Sequence, residues 1–431
     1  MVANSMELLG AVVVILFLLM FIRVPISFAL CIATVAGVFL TARLPVVIVA
    51  QRMFNSLDSF TLIAVPLFIL TGNIMAMGGV TEDLMRFSDV FVGRFRGGLG
   101  YVNVLQSMIF AGITGTAQAD TASIGSILIP TMIKKGFDKD FSIAVTAASS
   151  TIGILIPPSI PMVLFGIASG VSIGAMFAGG ILPGLIFGLA QMVIVYFVSR
   201  RRNYPREKPH SFKEGLIICL KGIPALMTTV VIIGGTASGF FTATEASAVA
   251  CIYSLLLGLL YYKELKLKNI PKLILETAKT MGISALMIAA ATALSWFLTS
   301  NGIPRAITQA VLSVTDNRVV IILLMNLILI VIGMFFDLAP AVTLFTPILL
   351  PIATAIGMHP VHFGVMMIVN LAIGLITPPV GVCLFLSCSI ADAKITDVMK
   401  GFLPFYILLI IVLLLVAFVP EVSLLIPSLM R

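Results

Sequence analysis

The feature that most constrains this chain is the length of its uncharged stretches. Residues 141–199 contain no Asp, Glu, Lys or Arg. From Val319 to Ala391 the only charged side chain is Asp337, and His359 and His362 are the only histidines. A membrane-spanning helix needs about 20 apolar residues, so each stretch is long enough for several spans. A soluble domain carries roughly 25% charged residues; this chain has 10%, against 60% hydrophobic. The two or three soluble domains that 431 residues would otherwise imply are therefore excluded. The period-2 alternation of a membrane barrel is missing. The expected fold is an all-α polytopic membrane protein.

The net charge of +8 would point to nucleic acid in a soluble protein. Here the basic residues cluster in short loops, which reads as membrane topology and no nucleic-acid partner. The five cysteines lie in apolar stretches without a CxxC pair, so neither a disulfide framework nor a metal knuckle is expected. No basic residue precedes the first apolar run, Leu8–Ile22, which lacks a signal peptide's charged start and reads as a first span stopped at Arg23 and Pro25.

The loops 199–213 and 263–272 are the most basic. Two apolar runs, 216–240 and 245–262, separate them and return the chain to the same side. Counting back through 176–198 and 141–168 places Lys134, Lys135 and Lys139 on that side too, the cytoplasm by the positive-inside rule. The stretch 97–133 leaves and re-enters it, as two spans or as a re-entrant hairpin. Both termini fall in the periplasm.

Residues 112–183 align without a gap on 333–404, at a constant offset of 221. The identities fall on backbone-setting residues, among them Gly112/Gly333, Pro130/Pro351, Gly136/Gly357, Gly153/Gly374, Pro157/Pro378 and Pro158/Pro379. Each copy reads as a hairpin, a loop, a span broken at Pro-Pro, and another span. The first loop, KKGFDKD, has three lysines and the second, AIGMHPVH, has none, which sets the copies in opposite orientations. Inverted repeats with interrupted helices mark many secondary transporters. The expected units are 1–214, with hairpin 97–133 and broken helix 141–168, and 215–431, with hairpin 319–355 and broken helix 363–390.

A proline inside a helix removes an amide donor and displaces a carbonyl about four residues earlier. In lipid the freed groups need protein, water or an ion. The carbonyls of Gly153 to Ile156 and of Gly374 to Thr377, with the Thr377 hydroxyl, suit a small hard cation. The helix starts beyond the breaks suit an anionic group. Each hairpin holds one carboxylate, Asp120 or Asp337, with three open roles: ion ligand, proton relay, or partner of hairpin amides. HExxH and Walker A patterns are absent, so no metalloprotease or ATPase is expected. His359 and His362 read as polar residues of a loop end.

At these motifs the chain resembles the large membrane subunit of TRAP (tripartite ATP-independent periplasmic) transporters. The stretches LDSFTLIAVPLFILTGNIM (57–75), GGLGYVNVL (97–105), ITGTAQADTASIG (113–125), ILIPPSIPMVLFG (154–166) and GLITPPVG (374–381) carry the resemblance over essentially the whole chain. It implies sodium-coupled import of an organic acid anion, of sialic acid or C4-dicarboxylate type, by an elevator motion of two inverted repeats with re-entrant hairpins. It implies a periplasmic substrate-binding protein and a small four-helix membrane subunit, here expected as a separate polypeptide. Carried over by motif, one sodium site takes Ala111, Thr114, Gly153, Ile156 and Pro158. The other takes Gly333, Gly374, Thr377 and Val380. Thr116, Asp120, Asp337, Pro157, Pro378 and Pro379 stand as substrate or gating candidates. Thr114 and Thr116 replace frequent serines and keep the hydroxyls. The competing readings are a stand-alone symporter, active in liposomes without partners; a membrane scaffold, which needs no ion-suited breaks; and a membrane enzyme, for which only two carboxylates are available.

Overall fold

The computed structural model describes residues 2–41, 45–207 and 209–430. The first half of the chain forms α1 (Val2–Phe21), α2 (Ile26–Thr41), α3 (Val47–Leu57), α4 (Ala64–Met77), α5 (Val80–Val92), α6 (Gly98–Thr114), α7 (Ala117–Lys134), α8 (Lys139–Ser150), α9 (Ile160–Ser169) and α10 (Ile173–Arg201). The second half forms α11 (Phe212–Ala237), α12 (Ala243–Leu256), α13 (Ile270–Ser300), α14 (Ile303–Val314), α15 (Arg318–Phe335), α16 (Leu338–Ala355), α17 (Pro360–Gly374), α18 (Val382–Ile390), α19 (Ile395–Phe418) and α20 (Glu421–Leu429). Among the described residues, eight helical segments are long and apolar enough to cross a membrane. The apolar runs 176–198, 216–240 and 245–262 fold as α10, α11 and α12, the last extended by one π turn to Tyr261.

Helix ends follow local chemistry. Thr242 caps α12 by accepting the Glu245 amide, while Glu245 accepts the Thr242 amide, a reciprocal box that satisfies two donors left open at a helix start. Gly136 and Gly357, identical across the two copies, both stand at positive φ, +87° and +74°. Each ends the second arm of a hairpin, where the next amide folds back onto the helix: Phe137 to Met132 at 3.0 Å, Met358 to Ala353 at 2.9 Å. A left-handed residue is needed there, and glycine takes it without a Cβ clash.

The elements α6 to α10 and α15 to α19 follow the same order: two hairpin arms, two halves of a broken helix, one long helix. A shift of 221 residues takes the start of α7 onto that of α16, and the start of α8 onto that of α17. Buried side chains stitch each first arm to the following half-helix. Asn103 donates to Thr146 at 2.6 Å and Ser107 to Ser149 at 3.0 Å. In the second copy Asn370 donates to the carbonyl and side chain of Asn326, both at 2.9 Å.

One end of the molecule gathers the basic loops. Lys135 meets Glu207 at 2.6 Å, and Lys139 donates to the Asp392 carbonyl at 2.7 Å. Arg202 holds Asp138 at 2.9 Å and Asp140 at 2.7 Å. Partial burial pushes Asp140 up, but the Arg202 guanidinium overrides it and leaves that carboxyl below its ordinary range. The pairs fasten the end of α10 to the start of α8, beside the base of the first hairpin. Toward the other end of α10, Gly179 packs against α17: a Cβ there would lie 3.0 Å from Val361.

One expectation is corrected. His362 is not in a loop. Pro360 opens α17 with its φ already set for a helix, and His359 caps it by accepting the Val361 amide at 3.2 Å. His362 is thereby carried into the core, its Nε2 bonded to the Val416 carbonyl at 2.7 Å.

Candidate ion and substrate site

The first break begins where α8 tightens into a 3-10 turn, Thr151–Ile154. The Leu155 and Ile156 amides both return to the Ile152 carbonyl, at 2.9 and 3.2 Å. Pro157 and Pro158 have no amide to give. Ser159 then caps α9, accepting from the Met162 amide and donating to the Ile154 carbonyl at 2.6 Å. The Ile160 amide crosses to the hairpin tip and donates to the Gly115 carbonyl at 3.2 Å. Among the described residues, no donor is directed at the carbonyls of Gly153, Ile156 or Pro158. On the facing arm, the Ala111 carbonyl receives only a long contact from the Gly115 amide, 3.4 Å, and the Thr114 hydroxyl leans on Phe110 at 3.4 Å. Gly115 turns the hairpin at φ +64°, and a Cβ on it would lie 2.8 Å from the Pro158 carbonyl oxygen. Any side chain there would push the tip off the break.

The second break repeats the plan with different details. The Leu375, Ile376 and Thr377 amides donate to Leu371, Ile373 and Gly374 at 3.2, 3.2 and 3.0 Å. After Pro378 and Pro379 the Val380 amide crosses to the second hairpin, donating to Met334 at 3.2 Å. Both Pro-Pro bonds are cis. Gly333 and Gly374 meet backbone to backbone: a Cβ on Gly374 would stand 2.5 Å from the Gly333 carbonyl carbon. No described donor reaches the carbonyls of Gly333, Thr377 or Val380. The Thr377 hydroxyl donates to Ile373 at 2.6 Å and keeps its lone pairs. The Gly374 carbonyl spends one of its two lone pairs on Thr377. Ile156 is buried, whereas Val380 is exposed, so the second break lies nearer the surface of the chain.

The two groups of motif residues thus each come together, one around the tip of α6–α7 and one around the tip of α15–α16. Each offers several unengaged oxygens, the donor set of a hard cation. The hairpin carboxylates differ sharply. Asp337 caps α16, accepting the Leu338 amide at 2.9 Å, and also accepts the Gln118 side-chain amide at 2.8 Å. Asp120 lies in the first turn of α7, and neither of its oxygens has a hydrogen-bond partner. Thr116, not Asp120, caps that helix, accepting the Ala119 amide at 3.3 Å.

Gln118 lies in the quoted stretch 113–125 but was not among the candidate site residues. Its bond to Asp337 joins the two hairpin tips across 219 positions. Beside this contact lies a cavity of about 570 Å³. Thr114, Thr116 and Gln118 line it from the first hairpin, Asp337 and Leu338 from the second. Ile160 and Val382, the first residues of the two post-break helices, also reach it. Its far wall is α4 and α13, with Asn73, Thr280 and Ser284 as polar members. Among the described residues, Asp337 is its only charged lining residue. A second cavity of about 320 Å³ shares Leu164 and Ile288 with it. The glycine and proline motifs pointed to the tips and breaks. The α4 wall falls in the quoted stretch 57–75 and carries Pro66 and Gly72, yet neither it nor α13 was assigned to the site.

The family model described as the DctM component of the tripartite ATP-independent periplasmic transporters matches residues 13–422. A sialic acid TRAP transporter large permease of Vibrio cholerae is 39% identical, over 95% of this chain and 96% of its own length. A C4-dicarboxylate TRAP transporter large permease of Pseudomonas aeruginosa is 37% identical, over 88% of this chain and 89% of its own. Among solved structures, the YdaH transporter of Alcanivorax borkumensis shares the fold at 15% identity, with a TM-score of 0.60 over 85% of this chain and 88% of its own. These relatives are permeases, not enzymes, and the candidate spans are those of a multi-pass inner-membrane protein. The chain belongs to the large-permease, DctM-type family of TRAP transporters.

Proposed function

We propose that this chain imports an organic acid anion by sodium symport, as the large subunit of a tripartite system. The observation that carries the reading is the cavity between the hairpin tips. The N-terminal ends of α7, α9, α16 and α18 all contribute to its lining, and no basic side chain does. Helix starts present partial positive charge, which suits an anion; the amides of Ile160 and Leu338 are already engaged, by Gly115 and Asp337. The two clusters of unengaged oxygens flanking it suit sodium, which travels as cargo beside the substrate. Relatives named for sialic acid and for C4-dicarboxylates are similarly distant, so the proposal stops at an organic acid anion.

Two inverted units, 1–214 and 215–431, fit the contacts of α10. Arg202 at its end meets the base of the first hairpin, and Gly179, nearer its start, meets the helix that follows the second. The 23 residues between them correspond to about 35 Å of helix at 1.5 Å per residue, close to a hydrocarbon core of about 30 Å. The arms α6 and α7, of 17 and 18 residues, are about 26 and 27 Å of helix at 1.5 Å per residue, so a re-entrant hairpin built from them must be steeply tilted or begin outside the hydrocarbon core. An elevator displacement would carry the hairpins and broken helices past α4 and α13. The partners proposed are a small four-helix membrane subunit and a periplasmic substrate-binding protein; the family's tripartite description supports two partners.

The test is uptake of candidate organic acids in proteoliposomes holding both membrane subunits and the binding protein. Uptake should require a sodium gradient and remain sodium-dependent with the membrane potential clamped. Undiminished uptake in sodium-free buffer under a proton gradient would overturn sodium coupling. Full activity of this chain alone would replace the tripartite reading with a stand-alone symporter.

A further inference from the structure

The two hairpin carboxylates do not occupy matching positions. The offset of 221 pairs Asp337 with Thr116, and both cap the second arm of their hairpin. It pairs Asp120 with Ala341, a fully buried alanine. Asp337 performs a capping duty that has a counterpart in the other copy. Asp120 has no such duty.

Asp120 is 0% exposed and both its oxygens lack a hydrogen-bond partner. Ser107 faces it from α6, one turn before Ala111, but commits its hydroxyl proton to Ser149. The elements packed on α7 are α6, α8, α18 and the Thr151–Ile154 turn. Between them they hold one basic residue, Lys139, at the far end of α8 and bonded to Asp392. The basic residue of α7 itself, Lys134, is at its far end. Cys383 of α18 is a titratable side chain near both Asp337 and Asp120. A buried charge without a partner is strongly unfavourable, so this carboxyl is neutralised either by a proton or by a counter-ion. The backbone beside it is Gly153, where a Cβ would stand 3.8 Å from the Asp120 Cβ and 3.4 Å from the Thr116 carbonyl oxygen. Gly153 belongs to the first ion pocket, with its carbonyl unengaged.

We propose that Asp120 is the fixed counter-charge of the cation in the first ion pocket, a positioning residue that sets the sodium affinity of that pocket and has no equivalent in the second. The inference rests on the sodium reading of the two breaks. It makes the pockets unequal: the first is charge-compensated within a dry core, and the second, with Ala341 at the matching place, depends on neutral oxygens alone.

The test uses the complete complex in nanodiscs. Thermal unfolding is followed as sodium chloride replaces N-methyl-D-glucamine chloride at constant ionic strength, and sodium activation of uptake is measured in proteoliposomes. Asp120→Asn keeps the shape and removes the charge. It should match or exceed wild-type melting without sodium, because no uncompensated carboxylate remains. It should lose most of the sodium-induced rise, with half-activation by sodium moved up at least about tenfold, a floor well below the roughly thousandfold that one charge at about 4 Å gives at an effective dielectric of about 20. A lower sodium-free melting temperature with an unchanged sodium response would show a structural carboxyl bonded to Ser107 and overturn the inference. If the Asn variant does not insert, Asp120→Glu decides. A folded Glu variant that keeps a sodium-induced rise supports the counter-charge, and one without it overturns it. A wild-type complex that shows no sodium response would instead overturn the sodium reading beneath the inference.

Discussion

At the scale of residues, the site is made from atoms whose identity side chains barely record. Most candidate ligands are carbonyls, so the informative substitutions change backbone access. Gly374→Ala puts a methyl group 2.5 Å from the Gly333 backbone, where no flexible side chain can yield. Overpacking of this kind costs about 1–3 kcal/mol, so the variant should melt lower and lose sodium response at the second pocket. Unaltered melting would show that the two backbones do not meet. Thr377→Ala removes one oxygen from that pocket. A neutral partner contributes about 0.5–1.5 kcal/mol, which corresponds to a two- to tenfold rise in the sodium needed for half-maximal uptake. An unchanged sodium curve would remove Thr377 from the ligand set. The motif marked both residues as candidates, because Gly and Thr are themselves the signal. It covered Gln118 without assigning it to the site, because its bond to Asp337 links positions 219 apart.

At the scale of elements, each break is a helix interrupted where two successive residues lack an amide. Replacing Pro157 and Pro158 together by alanine, or Pro378 and Pro379, restores the donors. Alanine is favoured over proline by about 3 kcal/mol in a helix interior. The segments should then re-form helical bonds and withdraw the carbonyls that face the hairpin tips. Both double variants should insert and fold yet fail to transport, with sodium-induced stabilisation diminished at the affected pocket. Normal transport with normal sodium dependence would reduce the breaks to structural kinks. The hairpins depend on these breaks for their seating, since the Ile160 and Val380 amides are free to donate to the hairpins only because the chain leaves the helix there.

At the scale of the whole molecule, the basic loops collect at one end. Single cysteines in a chain freed of its five native ones should respond to an impermeant reagent in intact spheroplasts according to side. Tyr204 is buried beneath Arg202 and unsuitable as a probe. Arg206→Cys, exposed in the basic loop, should stay unlabelled from outside, and Ser238→Cys, exposed between α11 and α12, should label. The reverse pattern would invert the topology and exchange the faces of the two hairpins.

The sequence by itself determined the membrane class and the positions of the two Pro-Pro breaks, and it named the residues proposed here for two ion pockets. These follow from hydropathy, from charge bias and from Gly and Pro, which act on the backbone locally and leave a mark at their own positions. It left the two carboxylates alike, with their three roles open. Tertiary structure separated them: Asp337 is a cap paired with Gln118, while Asp120 is buried without a partner. It also moved His362 from an expected loop into the core and supplied the α4 and α13 wall of the cavity. The reason is the same in each case. Whether a polar group is satisfied depends on which distant helix packs against it, and in a chain of near-uniform hydropathy no local pattern records that partner.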